Sequence, residues 1–372
     1  MLQARPIFRA TKLDLKPLAP ADAEIHHRSE RGRRPGADCP DVQEGPRPAV
    51  PITRSAHTQE IREIAVSELS ARRASKAVFH RMSPQETSEN ARTWITRGGN
   101  FAVCYSEVEP GAVLARSDNP EEYMVIIPPN GASATIEAGG KSVEAEADSL
   151  TIVPPGPSRI VAKSKGVIVR IISRASEDIM ALAWNNAAYA DGAPELAAPD
   201  LWPAPYDGYK LRHYPLAQYA KANGERIQPR VFRSTNMLVN IFAHYFTRRD
   251  TTALSPHWHD DFEQASLTLN GTWIHHTRYN WGSNLDEWWP DDHGEMETPS
   301  VIIIPARAVH TSRDIGADGP ESSLYDIFCP PRMDFAAKKG FVINEDEYPL
   351  PVGADNREVK TGGTLLNWQK PA

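Results

Sequence analysis

The chain has 372 residues, of which 40% are hydrophobic, and a formal net charge of −7. That length suits about two globular domains, and the mixed charge pattern excludes a basic face of the kind that binds nucleic acid. Three widely spaced cysteines exclude a disulfide framework, and no apolar run reaches the roughly 20 residues that cross a bilayer. We therefore expect a cytoplasmic protein that acts on small molecules and has neither a membrane nor a nucleic acid as partner.

The first part of the chain lacks the patterning of a folded domain. Residues 1–58 are rich in proline, arginine and charged residues and show no periodicity, so we predict a disordered tail. Residues 59–99 are predicted to form a helical lead-in, because apolar residues recur there at spacings of three and four. These apolar residues are Ile61, Ile64, Ala65 and Leu69.

Residues 100–174 change to short β-branched segments separated by Gly, Pro and Asn, which is typical of a sandwich or barrel. The predicted strands cover residues 101–105, 123–127, 133–136, 149–153 and 166–172. Residues 175–230 mix alanine, proline and aromatics and are interpreted as a connection. A second barrel is predicted over residues 231–332, and residues 333–372 are expected to be an extension with a short helix around Phe335–Lys339.

Four potential metal ligands lie in the second predicted barrel. Residues i and i+2 of a strand share a face, so His257 and His259 can aim two imidazoles at one point, and Glu263 has the same parity. His310 follows a second apolar strand, Val301–Ile304. Three imidazoles and one carboxylate suit a single divalent ion, which could be Fe(II), Mn, Ni, Co or Zn, and the absence of a nearby cysteine argues against a thiolate zinc site.

These motifs resemble those of the cupin superfamily. The first cupin motif has a His-x-His pair, then a Glu and a Gly, which match His257, His259, Glu263 and the turn at Asn270–Gly271. The second has Pro-x-Gly and then His, and here Arg307 replaces the Gly between Pro305 and His310. The resemblance implies an all-β fold of two tandem cupin barrels (double-stranded β-helix, jelly-roll), with a disordered N-terminal tail and a few short helices.

The resemblance also implies that the first barrel is degenerate. Glu121 or Glu122 lies near the place of the cupin Glu, but Arg116 and Asp118 stand near the place of the His-x-His pair, and Arg159 stands near that of the last His. Three nitrogen ligands are therefore missing, and we predict no metal in the N-terminal barrel.

Candidate catalytic residues lie on the segment after the turn, Thr272–Tyr279. Alternate residues of a strand face the barrel interior, but the turn leaves open whether His276 and Arg278 or His275, Thr277 and Tyr279 point inward. We take Arg278, which could clamp a carboxylate, with His276 and Tyr279 as the catalytic candidates. The insert over residues 280–295 is longer than a hairpin needs, and its three tryptophans either cap the barrel mouth or, as we favour, pack at a subunit contact.

The ligand set admits three kinds of function. The leading hypothesis is a metal-dependent bicupin enzyme, an Fe(II) dioxygenase acting on a small oxygenated or carboxylated substrate. Bicupin ring-cleaving dioxygenases resemble this layout, although they often use three histidines without the Glu. The alternatives are a non-redox isomerase, decarboxylase or lyase of a sugar acid or related molecule, and a non-catalytic binding protein. The resemblance further implies a homodimer or higher homo-oligomer.

Overall fold

The computed structural model describes residues 72–199, 201–219 and 229–352, together with the backbone of 222–223 and 226–227. The predicted tail at 1–58, the first part of the predicted helical lead-in at 59–71 and the end of the extension at 353–372 lie outside the described residues. No helix in the described ranges is both long and apolar enough to cross a membrane.

The described residues are almost entirely β-structure. In chain order the strands are β1 (Ser75–Val78), β2 (Glu86–Thr87), β3 (Ala91–Arg97), β4 (Phe101–Val108), β5 (Val113–Arg116), β6 (Tyr123–Ile127), β7 (Ala134–Ala138), β8 (Lys141–Ala145), β9 (Ser149–Val153), β10 (Ser158–Ala162), β11 (Gly166–Ser173), β12 (Arg212–Pro215), β13 (Ala222–Asn223), β14 (Arg226–Ile227), β15 (Arg230–Arg233), β16 (Leu238–Tyr245), β17 (Gln264–Asn270), β18 (Thr272–Arg278), β19 (Glu295–Glu297), β20 (Ser300–Ile304), β21 (Val309–Asp314) and β22 (Ser322–Phe328). The α-helices are α1 (Glu177–Leu182) and α2 (Met333–Ala336). Short 3-10 helices span Phe79–Arg81, Asn186–Tyr189, Leu216–Tyr219, Leu285–Glu287 and Glu345–Glu347.

The N-terminal barrel has eight strands in two facing sheets. One sheet contains the order β9-β6-β11-β4, and the other has the order β5-β10-β7-β8. Apart from the β7–β8 hairpin, successive strands from β4 to β11 therefore alternate between the two sheets in the double Greek-key order of a jelly roll. The strands form because β-branched and aromatic residues alternate or run continuously between glycine, proline and asparagine turns.

The C-terminal barrel repeats this order. One sheet contains β20-β17-β22-β16, and the facing sheet has the order β19-β18-β21. The strand that would complete the second sheet is reduced to a single antiparallel bridge between His257 and His310. These two barrels confirm the predicted all-β fold of two tandem jelly rolls with a few short helices.

Each barrel lends a strand to the other. β1, which precedes the N-terminal barrel, pairs antiparallel with β20 of the C-terminal barrel. β12, which precedes the C-terminal barrel, pairs antiparallel with β9 of the N-terminal barrel. The large sheets also share one apolar core, to which both barrels contribute buried side chains such as Ile152, Val169, Leu267 and Tyr325. Burial of this area holds the barrels together through the hydrophobic effect.

Two buried carboxylates fasten the barrels at related positions. Glu263, just before β17, accepts hydrogen bonds from the backbone N–H of Gly99 (2.6 Å) and the hydroxyl of Tyr189 (2.9 Å). Glu122, just before β6, accepts hydrogen bonds from the backbone N–H of Thr235 (3.0 Å) and the hydroxyl of Tyr348 (2.9 Å). We call these groups the Glu263 clasp and the Glu122 clasp. In each clasp the carboxylate of one barrel binds a turn next to the other barrel. Glu263 binds the turn between β3 and β4, and Glu122 binds the turn between β15 and β16.

The structure corrects three of the predicted segments. The helical lead-in is wrong for β1, β2 and β3 within it, because strands elsewhere in the chain supply their backbone hydrogen-bond partners and override the local spacing. The segment 175–230 is more than a connection, since β12 within it extends the N-terminal sheet. The helix expected around Phe335–Lys339 begins earlier, at Met333, and ends at Ala336.

Candidate metal centre

Three histidines converge in the C-terminal barrel. One ring nitrogen from each of His257, His259 and His310 lies within 4.8 Å of the others. His257 and His310 are held together by a pair of backbone hydrogen bonds, of 3.1 and 2.8 Å. His259 stacks on Phe262 at 4.5 Å between ring centroids. The predicted strand at His257–His259 is therefore a single bridge, and the pairing with β21 still brings both rings to His310.

All three imidazoles are kept neutral. Burial lowers the pKa of each ring, and that of His310 falls to about 3. The Nδ1 atom of His257 lies 2.9 Å from the carbonyl oxygen of Ser255, and Nδ1 of His310 lies 2.9 Å from that of Ala308. Since a carbonyl oxygen only accepts, both Nδ1 atoms carry the proton, and the Nε2 lone pairs are left to face the cluster. Such backbone contacts are how proteins orient metal-binding histidines.

A fourth potential metal ligand, the side-chain amide oxygen of Gln264, faces the histidines. Its Oε1 lies 3.0 Å from Nε2 of His259 and 3.2 Å from Nε2 of His310. Its Nε2 donates to Ser266 and to Asp326, both at 2.9 Å, and the Ser266 hydroxyl also donates to Asp326 at 2.6 Å. Burial raises the pKa of Asp326 to about 6, so the carboxylate is mostly ionised at neutral pH and fixes which end of the amide faces the rings.

This arrangement fits a bound cation. Nε2 of His310 and Oε1 of Gln264 are both acceptors, and two facing lone pairs repel unless a positive charge lies between them. The Asp326 contact opposes rotation of the amide, and the pKa of about 3 keeps a proton off His310. A divalent ion bound by three imidazoles and one amide oxygen would remove the repulsion.

Glu263 was predicted as the oxygen ligand, and the structure places it elsewhere. Its carboxylate belongs to the Glu263 clasp, where burial raises its pKa to about 7. The parity argument fails because residues 260–263 are not a regular strand: β17 begins only at Gln264, the next residue. The side chain that enters the barrel is therefore that of Gln264.

Two of the three predicted catalytic residues face away from the histidines. Arg278 is exposed and forms a bidentate pair with Asp291 (2.6 to 3.1 Å), and His276 contacts His293 and Arg313 at the outer face. The structure brings neither residue to the histidine cluster, because the odd-numbered residues of β18 point inward. Tyr279 has the inward parity but packs on apolar neighbours, and its hydroxyl accepts a hydrogen bond from the backbone N–H of Ala74 at 3.2 Å.

Three residues that were not chosen as catalytic candidates lie near the cluster. His275 is buried beside Ser312, with 2.7 Å between Nδ1 and Oγ, and its Nε2 has no hydrogen-bond partner within the described residues. Thr277 is paired across the sheet with His310. The charge of Arg332 contributes to lowering the pKa of all three histidines of the cluster. His275 and Thr277 could have been found because alternate residues of one strand share a face. Nothing local in the sequence points to Arg332.

The Trp-rich insert is exposed at its tip. Trp281 and Trp288 stack at 4.3 Å between ring centroids, and Trp281 is 68% exposed. Its role at a subunit contact, like the homo-oligomer itself, stays a prediction.

The corresponding part of the N-terminal barrel has different side chains. Arg116 binds Asp178, and Arg159 lies 3.8 Å from Glu137 at the surface. The hydroxyl of Tyr123 lies 2.9 Å from that of Ser158, where the C-terminal barrel pairs Gln264 with His310.

Comparisons with solved structures find cupin proteins at low identity. A cupin 2 conserved barrel domain protein from Leptotrichia buccalis is 9% identical, with a TM-score of 0.42, covering 68% of this chain and 96% of that one. A deletion mutant of Bacillus subtilis oxalate decarboxylase is 14% identical, with a TM-score of 0.46 and coverage of 70% and 80%. The E. coli protein Ylba is 12% identical, with a TM-score of 0.47 and coverage of 69% and 91%.

No family model matches the chain, and no curated protein is similar to it. The strand order therefore carries the assignment of the fold. Both barrels follow the jelly-roll order, and the histidines occupy the two motif positions of the C-terminal barrel. This chain has the fold of a bicupin.

Proposed function

We propose that this protein is a metal-dependent bicupin enzyme whose C-terminal barrel binds Fe(II) and acts as a dioxygenase on a small oxygenated or carboxylated substrate. The observation that carries the proposal is the neutral donor set. Three imidazoles and the Gln264 amide oxygen face one point, and the carboxylate of Glu263 is held in the clasp instead.

Neutral ligands leave the full charge of a divalent ion in place. An anionic substrate such as a carboxylate or a catecholate is then the natural partner, because it neutralises that charge. Ring-cleaving bicupin dioxygenases often use three histidines without a glutamate. The position of Glu263 in the clasp, away from the histidines, therefore supports the dioxygenase hypothesis.

The residues around the cluster can orient a substrate and exclude water. When bound, an iron ion supplies sites at which O2 and substrate are held side by side. His275 is buried and neutral, since burial lowers its pKa to about 3, and its Nε2 and the Thr277 hydroxyl lack partners within the described residues. These groups are available to hydrogen-bond a substrate. The aromatic rings of Phe262 and Phe328 close the side of His259 against solvent.

Metal analysis and oxygen uptake test the proposal together. Protein purified without added metals is analysed for bound ions, then loaded anaerobically with Fe(II) and mixed with catechols, hydroxybenzoates and sugar acids. Oxygen uptake matched to product by wild type, and lost in His310→Ala, is the expected result. Turnover of a sugar acid with Mn(II), Ni(II) or Zn(II) and no oxygen uptake would instead assign non-redox chemistry. Binding without turnover of any compound would assign a binding protein.

A further inference from the structure

The N-terminal barrel contains a buried arginine without a counter-charge. Arg170 lies in the middle of β11 and is 3% exposed. Its Nε is fully buried and has no hydrogen-bond partner, and its guanidinium forms no ion pair within the described residues. A buried charge without a partner is unfavourable, so proteins normally pair it or bind an ion against it.

Arg170 occupies the place that Asp326 has in the other barrel. Across its sheet Arg170 faces Cys104 and Val125, and Asp326 faces Asn240 and Ser266. The two clasp carboxylates, Glu122 and Glu263, occupy related positions in the two barrels. Val125 follows the first by as many residues as Ser266 follows the second, so the strand partners of Arg170 and Asp326 also correspond. The C-terminal barrel, which contains the histidine cluster, thus has the acidic residue Asp326 at this position. The N-terminal barrel has the basic residue Arg170 there.

A cleft opens beside this arginine. Its volume is about 380 Å³, which is ample for a small organic molecule. Arg170 and Arg116 line it together with hydroxyl-bearing and apolar side chains, among them Thr87, Ser117, Leu114 and Ile179.

The two carboxylates of the cleft leave Arg170 unpaired. Asp178 receives two hydrogen bonds from Arg116, of 2.5 and 3.0 Å, so each of its oxygens already has a cationic partner. Glu86 lies at the exposed edge of the cleft. The buried end of the cleft therefore keeps one positive charge, that of Arg170.

We propose that the N-terminal barrel binds a small organic monocarboxylate whose carboxylate pairs with Arg170. The planar guanidinium matches a carboxylate in shape and can form two parallel hydrogen bonds to it. One uncompensated arginine balances one negative charge, which favours a monocarboxylate over a phosphate or sulfate. The apolar side chains suit the organic body of the ligand. This site is separate from the histidine cluster and does not depend on the reaction that occurs there.

Calorimetric titration and thermal shift measure this binding directly. The probes are sodium acetate, lactate and benzoate, with phosphate and sulfate as other oxyanions and chloride at equal ionic strength as the blank. We expect saturable binding of at least one carboxylate, with the dissociation constant raised about tenfold or more by Arg170→Met. Arg170→Lys keeps the charge but not the planar guanidinium, so its affinity for the carboxylate should lie between those of wild type and Arg170→Met. It replaces Arg170→Met in the test if that variant does not fold.

Arg159→Met is the matched control, because that arginine lies in the same barrel with its side chain about half exposed. It should bind the carboxylates as wild type does. Equal affinity in wild type and Arg170→Met overturns the proposal, as does binding of phosphate or sulfate without any carboxylate. A carboxylate signal that survives Arg170→Met but disappears in His257→Ala would place the ligand at the histidine cluster and also refute it.

Discussion

Removing the Glu263 carboxylate separates its role in the clasp from the predicted role as a metal ligand. Glu263→Ala deletes the acceptor for the Gly99 N–H at 2.6 Å and the Tyr189 hydroxyl at 2.9 Å, and leaves both donors buried. With a pKa of about 7 Glu263 is only partly ionised at neutral pH, so each hydrogen bond contributes about 0.5–1.5 kcal/mol, and each unsatisfied buried donor costs about 1–3 kcal/mol. Because these contributions overlap, we expect the free energy of unfolding to fall by about 3–5 kcal/mol.

The assay combines thermal unfolding with metal analysis. At about 2 °C per kcal/mol for a chain of this size, the expected decrease in Tm is roughly 6–10 °C. Bound metal per chain should stay at the wild-type level, since the three histidines and Gln264 are untouched. Glu263→Gln keeps one acceptor oxygen and should recover part of the loss in Tm.

Glu122→Ala is the matched control, because the Glu122 clasp has the corresponding backbone and tyrosine contacts, with one further hydrogen bond from the Thr235 hydroxyl, away from the histidines. It should lower Tm by a similar amount. A Glu263→Ala protein that unfolds at the wild-type temperature but has lost its metal would show that the carboxylate is a ligand and that the clasp is not stabilising.

Three further predictions follow from the cluster and the clasps. His310→Ala should abolish tight metal binding with the fold largely intact by circular dichroism, and retention of one ion per chain would remove His310 from the ligand set. Asp326→Ala should free the Gln264 amide to rotate and weaken metal binding about 10- to 100-fold in a competition assay, whereas unchanged affinity would contradict the orienting role. Burial raises the pKa of Glu122 above the ordinary 4.5, so the folded protein keeps a proton that the unfolded chain releases, and stability should fall as pH rises above about 4.5. In Glu122→Gln, the free energy of unfolding measured with urea should depend less on pH above about 4.5. An unchanged pH dependence would show that Glu122 does not cause it.

Much of the fold could be predicted because strand patterning is local. The segments at 123–127, 149–153 and 166–172 are β-branched and almost wholly buried, and each forms a strand. The strand β8 was missed because its residues are mostly exposed and polar, so neither propensity nor alternation distinguishes it from a loop. β1 was missed because its partner, β20, lies far along the chain in the other barrel.

The side chain that faces the histidines is one residue away from the predicted one for a physical reason. Parity applies only along continuous strand, and the chain between His259 and Gln264 is irregular. The turn at Asn270–Gly271 joins β17 to β18, which lie in opposite sheets. Gly271 has a φ of +91°, and a Cβ there would lie 2.5 Å from that of Ser322, so the corner needs glycine. The inward face of β18 could not be set without knowing this corner.

The two barrels share a frame of residues that sequence spacing alone does not reveal. Asn185 and Asn344 each exchange side-chain hydrogen bonds with the backbone at the end of a strand, at Arg97 and at Arg233. Each of those arginines also lies over the tyrosine of a clasp, Arg97 over Tyr189 at 4.7 Å and Arg233 over Tyr348 at 5.5 Å.

This frame explains how two barrels with different interior side chains share one fold. The clasps and the shared apolar core lie between the barrels, whereas the side chains that decide what each barrel binds point to its own interior. Asp326 and its counterpart Arg170 place opposite charges at corresponding positions of the two barrels, and neither residue belongs to a clasp. The interior of each barrel can therefore be specialised for its own ligand, because the interface, and not the metal, holds the pair together.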